Sequence, residues 1–374
     1  MRFLLQDLTR TTIGILGGGQ LGWMMVLECR RYPIKFYVLS NPEEPACRIA
    51  DRCYSIRDFK EFVDSVDIVT FEFEHVSNEA LQYSSDRGKL IPKIDSVLLK
   101  RERWREKEFY RKHWIPTPRF FIAQDAEEAI KIVRNEFNYV CVIKQSKGGY
   151  DGRGQYFIKS RRDLDIYIDT LMGINDIFVV EEYIDFDYEA SIIAVRGSNK
   201  EFKAYPPTYN YNRKGILIHN YGPLPEENIR SRMVEIAEKL TKALDYVGVM
   251  GIEFFVKNGD VYVNEFSPRV HNTGHYTIDA AFVSQFEQHI RAILGLSLGD
   301  TSLLSFGGMV NILGLSDVPA DVIRYGKVYW YGKNKVRRRK MGHVNIVGSS
   351  LDELEKKIDT IVNLLYPDGI DNYI

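Results

Sequence analysis

Glu253 and Glu265 stand on the two arms of an expected β-hairpin, Gly251 to Glu265, turned by Asn258-Gly259. A three-residue turn would place them face to face on one sheet surface, whereas a two-residue turn would need a bulge or a side shift to bring both to one ion. Two carboxylates held together are costly unless a cation lies between them, and Mg²⁺ shared with triphosphate oxygens is the common solution. Immediately beyond Glu265, the run Ser267-Pro268-Arg269-Val270-His271-Asn272 adds a guanidinium, an imidazole and an amide. Alternation in an extended segment puts Arg269 and His271 on the side of Glu265, so a metal and a planar anion could be neighbours. A pair of unrelated surface acids and a structural histidine are the bland alternatives.

A second basic run, Gly148-Gly149-Tyr150-Asp151-Gly152-Arg153-Gly154, follows Lys144 and Lys147. It lacks the GK[ST] ending of a P-loop, yet four glycines with flanking cations can fold over phosphates and supply backbone donors. An ordinary charged hairpin would not need four residues so costly in conformational entropy. A third turn, Gly17, Gly19 and Gly22 in ILGGGQLG, has the spacing of a dinucleotide fingerprint at a helix start. The acid that should hold a ribose about 20 residues on is missing, because the next strand ends Val38-Leu39-Ser40-Asn41. The turn therefore suits a phosphate-bearing small molecule better than NAD, with a purely structural tight turn as the alternative. Lys333, Lys335 and the run Arg337 to Lys340 form a last basic cluster, read as binding a metabolite phosphate, as a solvated turn, or as touching a polyanion.

These groups need elements to hold them. Thr12 to Leu16, a helix from Leu21 to Arg31 and Lys35 to Leu39 read as a βαβ unit, and Asp67 to Phe73 adds a strand with Glu72, Glu74 and His75 at its C-terminal end, where ligands collect on parallel sheets. Val97 to His113 reads as one charged helix, ended by Ile115-Pro116-Thr117-Pro118. Val140 to Gln145 and Ile177 to Glu182 bracket the glycine run as strands. Strands near Glu189 to Arg196 and Glu201 to Tyr205, a helix from Glu226 to Tyr246 and a helix from Ile278 to Leu294 follow. Short strands around Val328 to Tyr331 and Gly342 to Val347, then a helix from Leu351 to Leu364, close the chain.

At 374 residues the chain exceeds the size of a single core. Fifty basic and fifty-one acidic residues give no long-range field for nucleic acid. The expected division is 1–110, 111–185, 186–298 and 299–374. Cys29, Cys47, Cys53 and Cys141 have no CxxC spacing and read as buried thiols. No apolar run approaches the roughly 20 residues of a membrane span, and MRFLLQDLTR lacks a signal-peptide core, so a cytoplasmic enzyme without membrane or nucleic-acid partners is expected.

The motifs GGGQLG, TFEFEHV, KQSKGGYDGRGQ, VVEEYIDFDYEASII, YVGVMGIEFF, NEFSPRVHNTGHYT, SQFEQHIRAILG, WYGK and RRRKMGHVN together resemble the ATP-grasp N5-carboxyaminoimidazole ribonucleotide synthetases of purine biosynthesis. The resemblance spans almost the whole chain after the first ten residues. It implies an α/β and α+β architecture, an ATP-grasp fold with an N-terminal Rossmann-like parallel-sheet domain and a small C-terminal β-rich domain. It also implies a cytosolic homodimer that joins bicarbonate to the amine of 5-aminoimidazole ribonucleotide using ATP and Mg²⁺, or Mn²⁺ in its place, through carboxyphosphate. By resemblance, Arg103, Lys144, Gly149 to Gly154, Glu181, Glu182, Tyr183, Ile184, Glu189, Asn264 and Glu265 line the nucleotide cleft, and Glu253 and Glu265 hold the metal. Arg269, His271, Asn272 and Lys333 would position bicarbonate or carboxyphosphate. Gly19, Gln20, Leu21, Glu74, Tyr150, Asp151, Arg153, Arg269, Lys333, Arg339 and Lys340 would hold the ribonucleotide.

Three departures stand out. Trp23 replaces a common arginine after GQLG, Arg338 replaces a proline-glycine in a shortened basic turn, and Tyr209-Asn210-Tyr211 lacks an acidic residue or histidine often seen there. The rival readings are a formate-dependent glycinamide ribonucleotide transformylase-like ligase, an NAD-binding oxidoreductase and a non-catalytic nucleotide sensor.

Overall fold

The computed structural model describes residues 5–148 and 154–374. The glycine-run residues Gly149, Tyr150, Asp151, Gly152 and Arg153 lie outside them.

The described residues form three sheets. The first is parallel, in the order Arg52–Tyr54, Lys35–Leu39, Thr12–Leu16, Ile68–Phe71. Ile13, Ile15, Phe36 and Val38 pack beneath the helix Gln20–Cys29, so the βαβ reading holds. Leu21, Met24 and Met25 of that helix share a core with Phe286, Ile290 and Ile293 of the helix Gln285–Ile293, which joins this sheet to the next unit. The second sheet is antiparallel, in the order Phe120–Ala123, Phe178–Glu182, Cys141–Gln145, Gln155–Ile158. The helices Ala126–Asn135 and Arg161–Met172 bury Ala129, Ile130, Val133 and Leu164 against it.

The third sheet has nine strands. Its path runs Asp260–Ser267, Gly248–Lys257, Tyr188–Arg196, Thr208–Arg213, Ile216–Gly222, Phe306–Leu313, Lys340–Gly348 and Lys327–Trp330, with Phe202–Ala204 beside Tyr188–Arg196. The C-terminal strands thus extend the sheet that carries the Glu253 hairpin. The helix Leu351–Leu365 covers them through Leu354, Ile358 and Ile361, while Glu227–Ala243 covers the other half through Met233, Ile236 and Leu240.

Several expectations need correction. The charged helix breaks into Ile94–Arg101 and Arg103–Lys112 because Glu102 is extended (φ −125°, ψ 104°). The break turns the Arg103 N–H onto the Ser146 carbonyl (3.1 Å) and its guanidinium onto the Gln145 carbonyl (2.8 Å). The expected Ile278 to Leu294 helix is also two, Thr277–Ala280 and Gln285–Ile293. Ala281 is extended and bridges Leu303, and the Ser284 hydroxyl restarts the helix by accepting the Glu287 N–H. Cys47 and Cys53 form a disulfide, whereas Cys29 and Cys141 are buried thiols. The strands Thr208–Arg213, Ile216–Gly222 and Phe306–Leu313 had no counterpart in the sequence reading. The last contains Gly307 and Gly308, where a Cβ would lie 2.4 Å from Ala280 Cβ and 2.8 Å from the Asn220 carbonyl oxygen respectively. No described helix is long and apolar enough to cross a membrane.

Candidate functional site

The hairpin turns on Asn258 and Gly259, both with positive φ (51° and 80°), so the turn has two residues. Pairing runs Lys257 to Asp260 through Phe254 to Val263, then slips so that Glu253 faces Glu265. The extra residue is Asn264. Its carbonyl accepts from Lys107 Nζ (3.3 Å), while the next peptide, the Phe266 N–H, donates to Glu106 Oε1 (3.0 Å). Adjacent residues of one helix thus grip the bulge that brings the two carboxylates together.

Around this pair opens a cleft of about 1500 Å³ between the three sheets. Every proposed site residue within the described chain lines it except Gly154. Gly154 instead closes the hairpin after Gln145: its carbonyl accepts the Gln145 N–H (2.8 Å), and at φ 65° a Cβ would meet Gln145 Oε1 at 2.8 Å.

One wall carries two buried ammonium groups around a carboxylate. Lys144 Nζ lies 3.0 Å from Glu181 Oε2 and 3.3 Å from Asn264 Oδ1, and buried Lys107 lies 3.4 Å from Glu181 Oε1. Burial would raise the Glu181 carboxyl, yet these two ammonium groups hold it below its usual value. Glu182, Tyr183, Ile184 and Glu189 follow along the rim. Burial raises Glu189, opposed by the amide of Asn212 at 3.0 Å. Asn212 is the polar residue facing the cleft here, because strand alternation and a bulge after Tyr211 turn Tyr209 and Tyr211 away.

At the centre, enclosure and the charge of Glu265 push Glu253 up. Glu265 moves the other way: the same enclosure would raise it, but Lys100, Arg103 and Lys144 hold it low. Lys100 Nζ lies 2.5 Å from Glu265 Oε2 and 3.2 Å from Glu106 Oε2. Among the described residues no group of three or more His, Cys, Asp or Glu is arranged to hold a metal ion alone. Two opposed carboxylates fit a cation that brings further oxygen ligands with it, as a nucleotide-bound Mg²⁺ does.

The far wall carries Arg269, His271, Asn272, Lys333 and Arg339. Arg269 Nε pairs with Glu74 Oε2 (3.0 Å) and Nη1 donates to the Val270 carbonyl (2.9 Å). His271 is kept neutral by burial, then by Arg269 and Lys340. The Asn272 amide has no hydrogen-bond partner among the described residues. Burial lowers Lys333 to about 8, and its ammonium donates to Gln20 Oε1. Arg339 lies 3.7 Å from Glu44 Oε1 across a turn made by Arg338 at φ 69°.

The glycine turn differs from expectation. The Gly19 and Gly22 N–H groups both donate to the carboxyl group of Glu72, at 2.9 Å for Gly22, so these two donors are already taken within the fold. Burial raises Glu72 against those two bonds. This occupancy also removes the donors that a dinucleotide would use. Trp23 packs edge-on against Tyr331 (6.1 Å), outside the cleft lining. His289 is structural, with Nε2 2.8 Å from the Thr70 hydroxyl and Nδ1 accepting the Val249 N–H. Glu72 was legible as a strand-end acid; Lys100, Lys107 and Asn212 carried no signal distinguishing them from neighbouring polar residues.

Residues 10–100 match the ribonucleotide synthetase preATP-grasp domain family, 108–286 the ATP-grasp domain, and 308–357 the phosphoribosylaminoimidazole carboxylase C-terminal domain. The N5-carboxyaminoimidazole ribonucleotide synthase of Saccharolobus solfataricus is 61% identical over 361 residues, covering 96% of this chain and 97% of that protein. The chain belongs to the N5-carboxyaminoimidazole ribonucleotide synthase family. The family's fold is matched throughout: the synthetase of Thermus thermophilus superposes with a TM-score of 0.87 at 33% identity, over 94% of this chain and 98% of that one. A second family structure, from Aspergillus clavatus in complex with ADP and 5-aminoimidazole ribonucleotide, gives 0.86 at 26% identity, over 96% and 99%.

Proposed function

We propose that this synthase carries out the ATP-dependent carboxylation of 5-aminoimidazole ribonucleotide by bicarbonate, giving N5-carboxyaminoimidazole ribonucleotide, ADP and phosphate. The observation that carries the reading is one cleft in which the opposed Glu253 and Glu265 adjoin both the Lys144–Glu181 wall and the Arg269–His271–Asn272 wall. A bicarbonate oxygen attacks the γ-phosphorus, the bond to the β,γ-bridging oxygen breaks, and ADP leaves. The ribonucleotide amine then attacks the carbonyl carbon of carboxyphosphate, or the CO₂ it releases; phosphate departs and the nitrogen loses a proton.

Lys144 and Arg103 neutralise the triphosphate, and Glu189 with the Glu182–Ile184 stretch receives the nucleoside. Glu253 and Glu265 would hold magnesium, which spreads the charge of the transferring phosphoryl group. Arg269 pairs with the planar anion, His271 and Asn272 hydrogen-bond it, and Gln20, Glu74, Lys333, Arg339 and Lys340 hold the ribonucleotide. Carboxyphosphate is labile, and the depth of the cleft limits its loss to water. We further assign the protein to the cytoplasm as a homodimer, the mass of which light scattering would give.

The test is ADP release with MgATP and bicarbonate, with and without 5-aminoimidazole ribonucleotide, while the amine is followed. One ADP per amine consumed, with strong stimulation, is expected. Absence of stimulation in folded, ATP-binding protein would defeat the reading. A pH dependence accompanies it. Lys333 sits at about 8, so raising the pH through that value discharges it and weakens the hold on an anionic substrate. The KM for ribonucleotide should rise by up to about tenfold per pH unit above 8. Lys333→Arg, charged throughout, should flatten that rise; an equal rise in the variant would remove Lys333 from the subsite.

A further inference from the structure

His271 is fixed from three sides. Its peptide is bracketed by the fully buried Gln285, whose Oε1 accepts the His271 N–H (2.9 Å) while Nε2 donates to the His271 carbonyl (2.6 Å). Gly251 on the adjoining strand leaves room for the side chain, since a Cβ there would lie 2.4 Å from His271 Cβ. On the third side is Thr273, with its hydroxyl 2.8 Å from Nδ1 and its N–H donating to the same nitrogen at 3.4 Å.

A peptide N–H can only donate, so Nδ1 presents a lone pair and the neutral ring carries its proton on Nε2. Nε2 is the nitrogen directed at the cleft centre, 3.7 Å from Glu253 Oε1. Thr273 is itself anchored: its carbonyl accepts from Asn220 Nδ2 (2.5 Å), and that nitrogen also reaches the Thr208 hydroxyl (3.3 Å) in the fully buried layer behind the site.

We propose that Thr273 is a positioning residue that fixes His271 as the Nε2–H tautomer, so that His271 donates a hydrogen bond to the bound one-carbon anion rather than taking a proton from it. The inference rests on the carboxylation reading for the identity of that anion, but the tautomer can be measured without turnover. Nitrogen-15 spectra of the histidine-labelled protein, with His271→Asn identifying the resonance among seven histidines, should show Nδ1 unprotonated and Nε2 protonated at neutral pH. Thr273→Val, which loses the 2.8 Å hydroxyl contact and leaves only the 3.4 Å peptide N–H on Nδ1, should shift part of the population to the other tautomer and lower kcat about tenfold, the size of one lost hydrogen bond, with KM for ATP changed less than about twofold. Thr273→Ser should restore both.

A protonated Nδ1 in the unaltered protein would overturn the proposal even if the carboxylation assay succeeds. So would an unchanged kcat in Thr273→Val, or a Thr273→Ser variant as impaired as the valine, which would make the methyl group's packing the operative contact. Should Thr273→Val fail to fold, the spectrum of the unaltered protein and the serine variant decide.

Discussion

Glu265→Gln should lower ADP formation by a factor on the order of 10²–10³ while leaving the protein folded. Glutamine keeps the shape and removes the charge. The Glu265 side chain is 43% exposed to the cleft, so little packing is lost, and Lys100 retains Glu106 as a partner at 3.2 Å. The unfolding midpoint should therefore stay close to that of the unaltered protein, as for a substitution outside the core. What disappears is half of a carboxylate pair on which the cation is proposed to sit. Mn²⁺ binding followed by electron paramagnetic resonance in the presence of ADP should weaken in parallel, a readout independent of turnover. A normal rate, or unchanged Mn²⁺ binding, would sink the metal assignment.

The second large effect is expected at Arg269. Arg269→Lys should reduce kcat by roughly a hundredfold, because a lysine cannot reproduce the planar fork that pairs with a carbonate-like anion. Nη2 is the guanidinium nitrogen with no hydrogen bond among the described residues, while Nε and Nη1 are held by Glu74 and the Val270 carbonyl. Lysine is the informative choice. Alanine would leave Glu74, 5% exposed, without its counter-charge, and breaking such a buried pair costs about 3–5 kcal/mol of stability. The KM for ATP should change less than about twofold in Arg269→Lys, whereas the bicarbonate dependence should shift strongly. Equal losses in nucleotide binding and bicarbonate use would place Arg269 in a different subsite.

How far these residues could be read from the chain depended on the range of the interactions. Asn258-Gly259 marks its own two-residue turn, because both positions must adopt positive φ. The bulge at Asn264 could be named as a requirement but not as a fact: it is held by Glu106 and Lys107, about 160 positions earlier. Glu72 was visible at a strand end, where ligands gather, yet its partners are the N–H groups of a turn some 50 residues back. The helix break at Glu102 was masked by a charge pattern that continues on either side; what rewards it is the docking of Arg103 on the Gln145–Ser146 backbone. Cys47 and Cys53 pair across a separation of six, a spacing without a motif. The strand Phe306–Leu313 was not foreseen, and its glycines serve close packing between neighbours that are distant in sequence.

The continuity of the nine-stranded sheet sets the mechanics of the cleft. Phe306–Leu313 is hydrogen-bonded to Ile216–Gly222 on one edge and to Lys340–Gly348 on the other. Glu253 and Lys340 therefore ride on one plate, and the span between the carboxylate pair and the C-terminal cations is set by strand spacing rather than by a hinge. The Gln20–Cys29 helix, through its shared core with Gln285–Ile293, bolts the parallel sheet to the same plate. The small antiparallel sheet that carries Lys144 and Glu181 is hydrogen-bonded as a separate sheet. The carboxylate pair and the C-terminal cations thus form one fixed gauge, with the Lys144–Glu181 wall on a sheet of its own.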